Sequence, residues 1–156
     1  MRKIVYESLN EMNFERRKDP FGVLGIGKRQ LIKDWLDEMD IVGYTINDDY
    51  TIDILRYGIL IGSVNLKGKN LKKFPDYIQF NRVQGYFDCD DNELTSLRGC
   101  PTYIANDSYF GCEHNRLTSL QYCPLECGDF YCSGNTKVFT IEDVDRYCHN
   151  HRDLYF

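Results

Sequence analysis

Phe87 to Pro101 reads FDCDDNELTSLRGCP, and Phe110 to Pro124 reads FGCEHNRLTSLQYCP. A shortened third copy, FYCSGNTKV, runs from Phe130 to Val138. Val64, Phe87 and Phe110 lie 23 residues apart, as do Leu66, Cys89 and Cys112, Leu71, Leu94 and Leu117, and Phe74, Leu97 and Leu120. Phe130 and Cys132 follow after a step of 20. A fixed period of this length marks a solenoid, in which one coil cannot bury its own apolar side and must stack on the next. Phe-x-Cys places two side chains inward from a short strand and the one between them outward. Asn92, Asn115 and Asn135 then satisfy backbone groups at the bend, and Leu94 and Leu97 bury the return segment. The first copy departs from the pattern, carrying Lys69 where asparagine is expected.

The frame resembles the leucine-rich-repeat family, with Phe-x-Cys in place of Leu-x-Leu. Asn92 to Pro101, preceded by F-P-D-Y-I-x-F-x-x-V-x-G-x-F from Phe74 to Phe87, is similar to short leucine-rich-repeat proteins encoded by bacteriophages. Tyr6 to Glu11 and the segment from Asp19-Pro20 to Trp35 look like the N-terminal part of the same proteins, so the resemblance spans nearly the whole chain. It implies a phage origin and carries no activity to any residue. The wider family implies protein binding through the strand-lined concave face.

Around the repeats the chain reads as α+β. Residues 1–43 form an N-terminal helical region, with one helix expected over Arg2–Phe14 and a second over Lys28–Met39, where Leu31, Ile32, Trp35, Leu36 and Met39 make an apolar stripe. Trp35 is the expected anchor of that helix on the rest of the domain. Residues 44–63 are expected to form an opening hairpin, with Thr51–Leu55 and the apolar run Gly58–Ile61 as its strands, covering the edge of the first repeat. Parallel-strand coils fill 64–138. Residues 139–156 supply a C-terminal capping helix, started by Thr140 with Asp143 three positions on. Its tail from Asn150 either packs or frays. Lys137 stands at a leucine position, which predicts that the array stops there.

Composition narrows the function. The chain of 156 residues has a net charge of −5, which argues against a nucleic-acid partner, because phosphate contacts require a cationic surface. The N-terminus has charges where a signal peptide has its apolar core, and no run is long enough to span a bilayer, so a soluble intracellular protein is expected, with no membrane partner. Seven cysteines without a secretion signal read as reduced thiols.

Three chemistries find partial matches in the chain. Gly22 to Lys28 matches the start of a phosphate-binding loop, but Arg29 stands where Ser or Thr must hold magnesium, and no strand precedes it. Cys123, Cys127 and Cys132, with Cys148, His149 and His151 downstream, are ligand types for zinc. Yet Cys89, Cys112 and Cys132 share one strand position and Cys100 and Cys123 one turn position, and buried free cysteine behaves as a small hydrophobe. Asp88, Asp90, Asp91 and Glu93 can mimic a paired-carboxylate site, but the repeat places them on a solvated face. No cofactor and no catalytic residue is assigned.

The remaining candidate is a protein-binding strip of outward residues: Tyr86, Asp88, Asp90, Asp91, Tyr109, Glu113, His114, Asp129 and Tyr131. From Phe87 to Cys132, eight acidic residues face only Arg98 and Arg116, while the first coil carries Lys67, Lys69, Lys72 and Lys73. Tyrosine offers contact area at low entropic cost, and acidic neighbours steer a basic partner. On this reading charge reversal at Asp88 and Asp90 abolishes capture and leaves the melting temperature unchanged. The leading expectation is a non-enzymatic interaction module acting on a host or phage protein in the infected bacterial cytoplasm. A virion component that tiles against copies of itself is the alternative, and a metal- or nucleotide-dependent enzyme a third.

Overall fold

The computed structural model describes residues 27–156. The helix expected over Arg2–Phe14 and residues 22–26 of the glycine-rich segment lie outside the described residues. Helix α1, Lys28–Glu38, buries Leu31, Ile32, Trp35 and Leu36. The Trp35 ring meets Phe74 at 6.3 Å and Phe80 at 6.4 Å, edge-on in both cases, which seats the helix against the first coils.

Strands β1 (Tyr44–Ile46) and β2 (Ile52–Ile54) pair antiparallel, and β2 then pairs parallel with β6 (Phe80–Val83). Strand β8 (Tyr103–Ile104) follows β6, and single bridges carry the same column on through Glu126 to Asn150. A second sheet has the order β11–β10–β9–β7–β5 and is parallel throughout. Its members are β5 (Val64–Asn65), β7 (Phe87–Asp88), β9 (Tyr109–Gly111), β10 (Asp129–Tyr131) and β11 (Leu154–Tyr155). Each coil thus gives one strand to the second sheet and a strand or single bridge to the first, and the result is a β-solenoid of about four turns.

The core lies between the sheets. Phe87, Phe110 and Phe130 lie in register, the first two stacked at 6.1 Å and the last two edge-on at 5.1 Å. Opposite them run Ile54, Val83 and Ile104, buried and aligned across the first sheet, with Cys127 one residue beyond the bridge at Glu126. This second column, unlike the phenylalanines, is not one residue type but Ile, Val, Ile and Cys. Its steps are also uneven, 29 residues from Ile54 to Val83 and 21 to Ile104.

The asparagines bind coil to coil. Asn92 Nδ2 donates to Leu66 O at 2.8 Å and to Cys89 O at 3.0 Å, while its Oδ1 accepts from Leu71 N at 2.9 Å. Asn115 repeats this one coil later, donating to Cys89 O at 2.9 Å and accepting from Leu94 N at 2.9 Å. Asn135 continues it with Cys112 O and Leu117 N. Each amide serves the coil before its own, so the first coil needs no asparagine and Lys69 is accommodated.

Two boundaries differ from expectation. Strand β2 forms its hairpin with β1 and not with the run Gly58–Ile61, and it serves at the same time as a rung of the solenoid. The run Gly58–Ile61 pairs instead within its own small ladder, β3 (Arg56–Tyr57) with β4 (Leu60–Ile61). At the other end the array continues past Lys137. Helix α2, Ile141–Asp145, is only five residues long, with a capping box between Thr140 and Asp143. The chain then returns as β11, pairing with β10 through Phe130↔Leu154 and Tyr131↔Tyr155. The tail packs as a strand because the edge of β10 still presents free backbone groups, which a two-residue strand satisfies.

Candidate functional site

The outer face of the five-stranded sheet carries the sequence-derived strip. In β7, β9 and β10 the phenylalanine points inward, so the residues on either side point out. Tyr86 and Tyr109 occupy one column and stack at 5.0 Å with their planes 6° apart. Tyr131 belongs to the neighbouring column, yet its ring reaches Tyr109 at 5.6 Å, edge-on. The column neighbour of Tyr131 is Gly111, whose missing side chain leaves the space. Tyr155 extends the ladder, stacked on Tyr131 at 4.3 Å. Four tyrosines therefore run unbroken along the axis of the solenoid.

The carboxylates are not equivalent. Asp88 and Asp90, expected on the solvated face, are buried. Asp88 Oδ1 accepts from Asp90 N at 3.0 Å, and Asp90 Oδ1 accepts from Glu113 N at 2.7 Å. These amides lie where the chain leaves the strand, and the acids supply the acceptors that the ladder no longer provides. A Cβ added to Gly111 would meet Asp90 Oδ1 at 2.9 Å, so that glycine also makes room for the acid. Charge reversal at Asp88 and Asp90 would therefore disturb folding, contrary to the expectation of an unchanged melting temperature.

Burial, with the nearby charges of Asp88 and Glu113, raises the Asp90 carboxyl to about 6, against the opposing effects of the Glu113 amide and Lys67. Its ordinary value is 3.8, so the folded state holds the proton more tightly than the unfolded chain. The stabilising contribution of the protonated acid is complete below pH 3.8 and is lost as the pH rises through about 6. Asp90→Asn keeps the acceptor for Glu113 N and removes the charge. It should stabilise the protein by about 1–3 kcal/mol at pH 7.5, with the gain vanishing near pH 4. Urea denaturation of both proteins across that range checks the sign and the slope.

The exposed charges sit at the bend. Asp91 (φ 53°) and His114 (φ 49°) adopt the left-handed conformation that Gly68 and Gly134 adopt in the flanking coils. This turns their side chains outward, where Asp91 meets Lys67 Nζ at 3.3 Å and His114 Nδ1 at 3.2 Å. Glu113 accepts from Ser133 Oγ. Asp129 forms a two-pronged ion pair with Arg152, at 2.8 and 2.9 Å, which holds its carboxyl below the usual range. The face is thus less acidic than its composition suggests: two acids serve the backbone and a third is neutralised. Tyr155 and Arg152, missing from the sequence-derived strip, lie beyond the last repeat copy, and no periodic signal marks them.

The other candidate chemistries find little convergence. Cys127 and Cys148 come within 3.8 Å, sulfur to sulfur, whereas His149 is exposed, and among the described residues no group of three or more ligand side chains converges on a metal position. Gly27 and Lys28 begin α1, where Arg29 is bound to the carbonyls of Ile46 and Asn47. A depression of about 310 Å³ on the first sheet is lined by Leu55, Arg82, Val83, Gln84, Tyr103 and Ala105, with no acid–base pair. No described helix is long and apolar enough to cross a membrane.

Comparison with family models, with curated proteins and with solved structures found no match.

Proposed function

We propose that the protein is a non-enzymatic binding module whose tyrosine-laddered face receives a basic segment of a partner protein. The observation that carries this reading is the ladder Tyr86–Tyr109–Tyr131–Tyr155, with successive ring centroids 5.0, 5.6 and 4.3 Å apart. Rings already stacked on one another lose little freedom when a partner covers them. Lysine or arginine side chains can lie over ring faces, and Asp91 and Glu113 offer carboxylates at the rim. The resemblance to phage-encoded repeat proteins makes a host or phage protein the expected partner, in the cytoplasm of the infected bacterium. Counteracting a host defence is one form of that role.

The test is affinity capture from infected cells with wild-type protein and with Tyr86→Ser/Tyr131→Ser/Asp91→Lys. All three positions are at least partly exposed, so the variant should remain folded, with a melting temperature lowered by several degrees at most. Loss of the captured partner by tenfold or more is expected. Undiminished capture by the folded variant would remove the ladder from the interface.

One feature favours a second reading, assembly against copies of the chain or a larger particle. At the β3–β4 hairpin Ile59 is 95% exposed, Leu60 64% and Ile61 53%, an apolar tip of the kind that neighbours cover in assemblies. Detection of the protein by mass spectrometry in purified particles would favour this reading over the first.

A further inference from the structure

We infer that Cys127 and Cys148 form a redox-active dithiol that a hydroperoxide converts to a disulfide, fastening the C-terminal segment to the fourth coil. Their sulfurs lie 3.8 Å apart across a sequence separation of 21 residues. Bond formation requires an approach to about 2.05 Å, which side-chain rotation can supply from contact distance. The backbone holds them in place in the closed state, with Cys127 N donating to Asn150 O at 2.9 Å and Cys148 N to Val144 O at 2.8 Å.

The pair stands apart from the repeat cysteines. The Cys89 thiol donates to Gly111 O at 3.1 Å and the Cys112 thiol to Tyr131 O at 3.4 Å, each facing the carbonyl of the next coil. Cys127 and Cys148 occupy no such position and face each other. The contact with Cys127 leads in lowering the Cys148 thiol, helped by the Asn150 backbone and His151, while burial and Asp145 oppose it. The same contact, with burial, pushes Cys127 up. His151 is held by Asp145 Oδ1 at 2.8 Å from Nε2, and its buried Nδ1 has no partner.

Chemistry follows from the 3.8 Å contact of the two sulfurs. The Cys148 thiolate attacks one peroxide oxygen and the O–O bond breaks. Cys148 becomes the sulfenic acid, and the released alkoxide takes up a proton. The Cys127 sulfur then attacks Cys148, the S–O bond breaks, and water leaves with the Cys127 proton. Two thiols have lost two electrons, and the peroxide has been reduced to an alcohol and water. Both cysteines are about 1% exposed, so the oxidant enters when the terminal segment opens. That segment is attached by the two-residue strand β11, the Arg152–Asp129 pair and backbone hydrogen bonds at His149, Asn150 and Arg152, and as the last rung, with no coil beyond it, it opens locally without the rest of the solenoid. The disulfide then closes the route by which the oxidant came.

The inference stands apart from the binding face, and its test needs no partner. Native protein is treated with hydrogen peroxide, quenched, unfolded and mapped without reduction. Titratable thiols should fall from seven to five, with Cys127–Cys148 as the one intramolecular bridge. Hydrogen exchange at Leu154–Phe156 should slow by at least tenfold. Cys127→Ser and Cys148→Ser should each lose the bridge, and Cys127→Ser should accumulate sulfenic acid at Cys148, trapped by dimedone. If neither variant folds, mapping of the wild-type protein alone decides. A full complement of seven thiols, or a bridge between any other pair, would overturn the inference.

Discussion

Asn115→Asp should cost roughly 3–5 kcal/mol of unfolding free energy, as several buried hydrogen bonds fail together. Asn115 is 6% exposed and its amide nitrogen donates to Cys89 O at 2.9 Å, Glu113 O at 3.1 Å and Cys112 O at 3.4 Å. Aspartate retains the acceptor for Leu94 N but loses every donor and sets a negative charge against the carbonyls. The energy of such a site lies in what is left unpaired, since a buried polar group without a partner forfeits its full hydration. Protonation restores one donor, so the deficit should shrink as the pH falls toward 4. Urea denaturation at pH 7.5 and pH 4.5 measures both effects. A loss below 1 kcal/mol at neutral pH would mean that water or a shifted backbone replaces the amide.

Phe110→Ala should be comparably severe, at about 3–5 kcal/mol. Phe110 is fully buried between Phe87 and Phe130, with rings at 6.1 and 5.1 Å, so truncation opens a cavity shared by two coil interfaces. In a solenoid stability is carried by nearest-neighbour contacts, and a central defect weakens both of its neighbours. Phe110→Leu should recover more than half of the loss. Equilibrium unfolding followed by fluorescence and by circular dichroism checks the ranking. Separated midpoints for the two probes in Phe110→Ala would indicate that the coils on either side have uncoupled.

Both residues were legible in the linear chain, and for the same reason. A residue that must do one job in every coil recurs at one spacing, so Phe87, Phe110 and Phe130 betray the strand core, and Asn92, Asn115 and Asn135 the ties between coils. The opposite wall was harder to read. Ile54, Val83, Ile104 and Cys127 do equivalent work, but any apolar side chain of suitable size can do it, and an uneven spacing hides the column. The apolar run Gly58–Ile61 has a strand composition, yet its ladder with Arg56–Tyr57 is local and leaves Ile59 in solvent.

The candidate face divides along the same line. Alternation along the strands told which side chains leave the core, and so brought Tyr86, Tyr109 and Tyr131 together on one side. It could not tell an outward carboxylate in water from one folded back onto the backbone. Asp88 and Asp90 are buried because the amides of Asp90 and Glu113 need acceptors at the bend, a demand that appears only once the coils are stacked. By itself the sequence determined the solenoid, its step, its aromatic core and its asparagine ties, because each is a local requirement repeated in every coil. Tertiary structure alone decided the second sheet, the last rung that brings in Tyr155, the meeting of Cys127 with Cys148, and which acids reach solvent. Most of those depend on contacts between residues more than twenty positions apart, where no repeated spacing records the partnership.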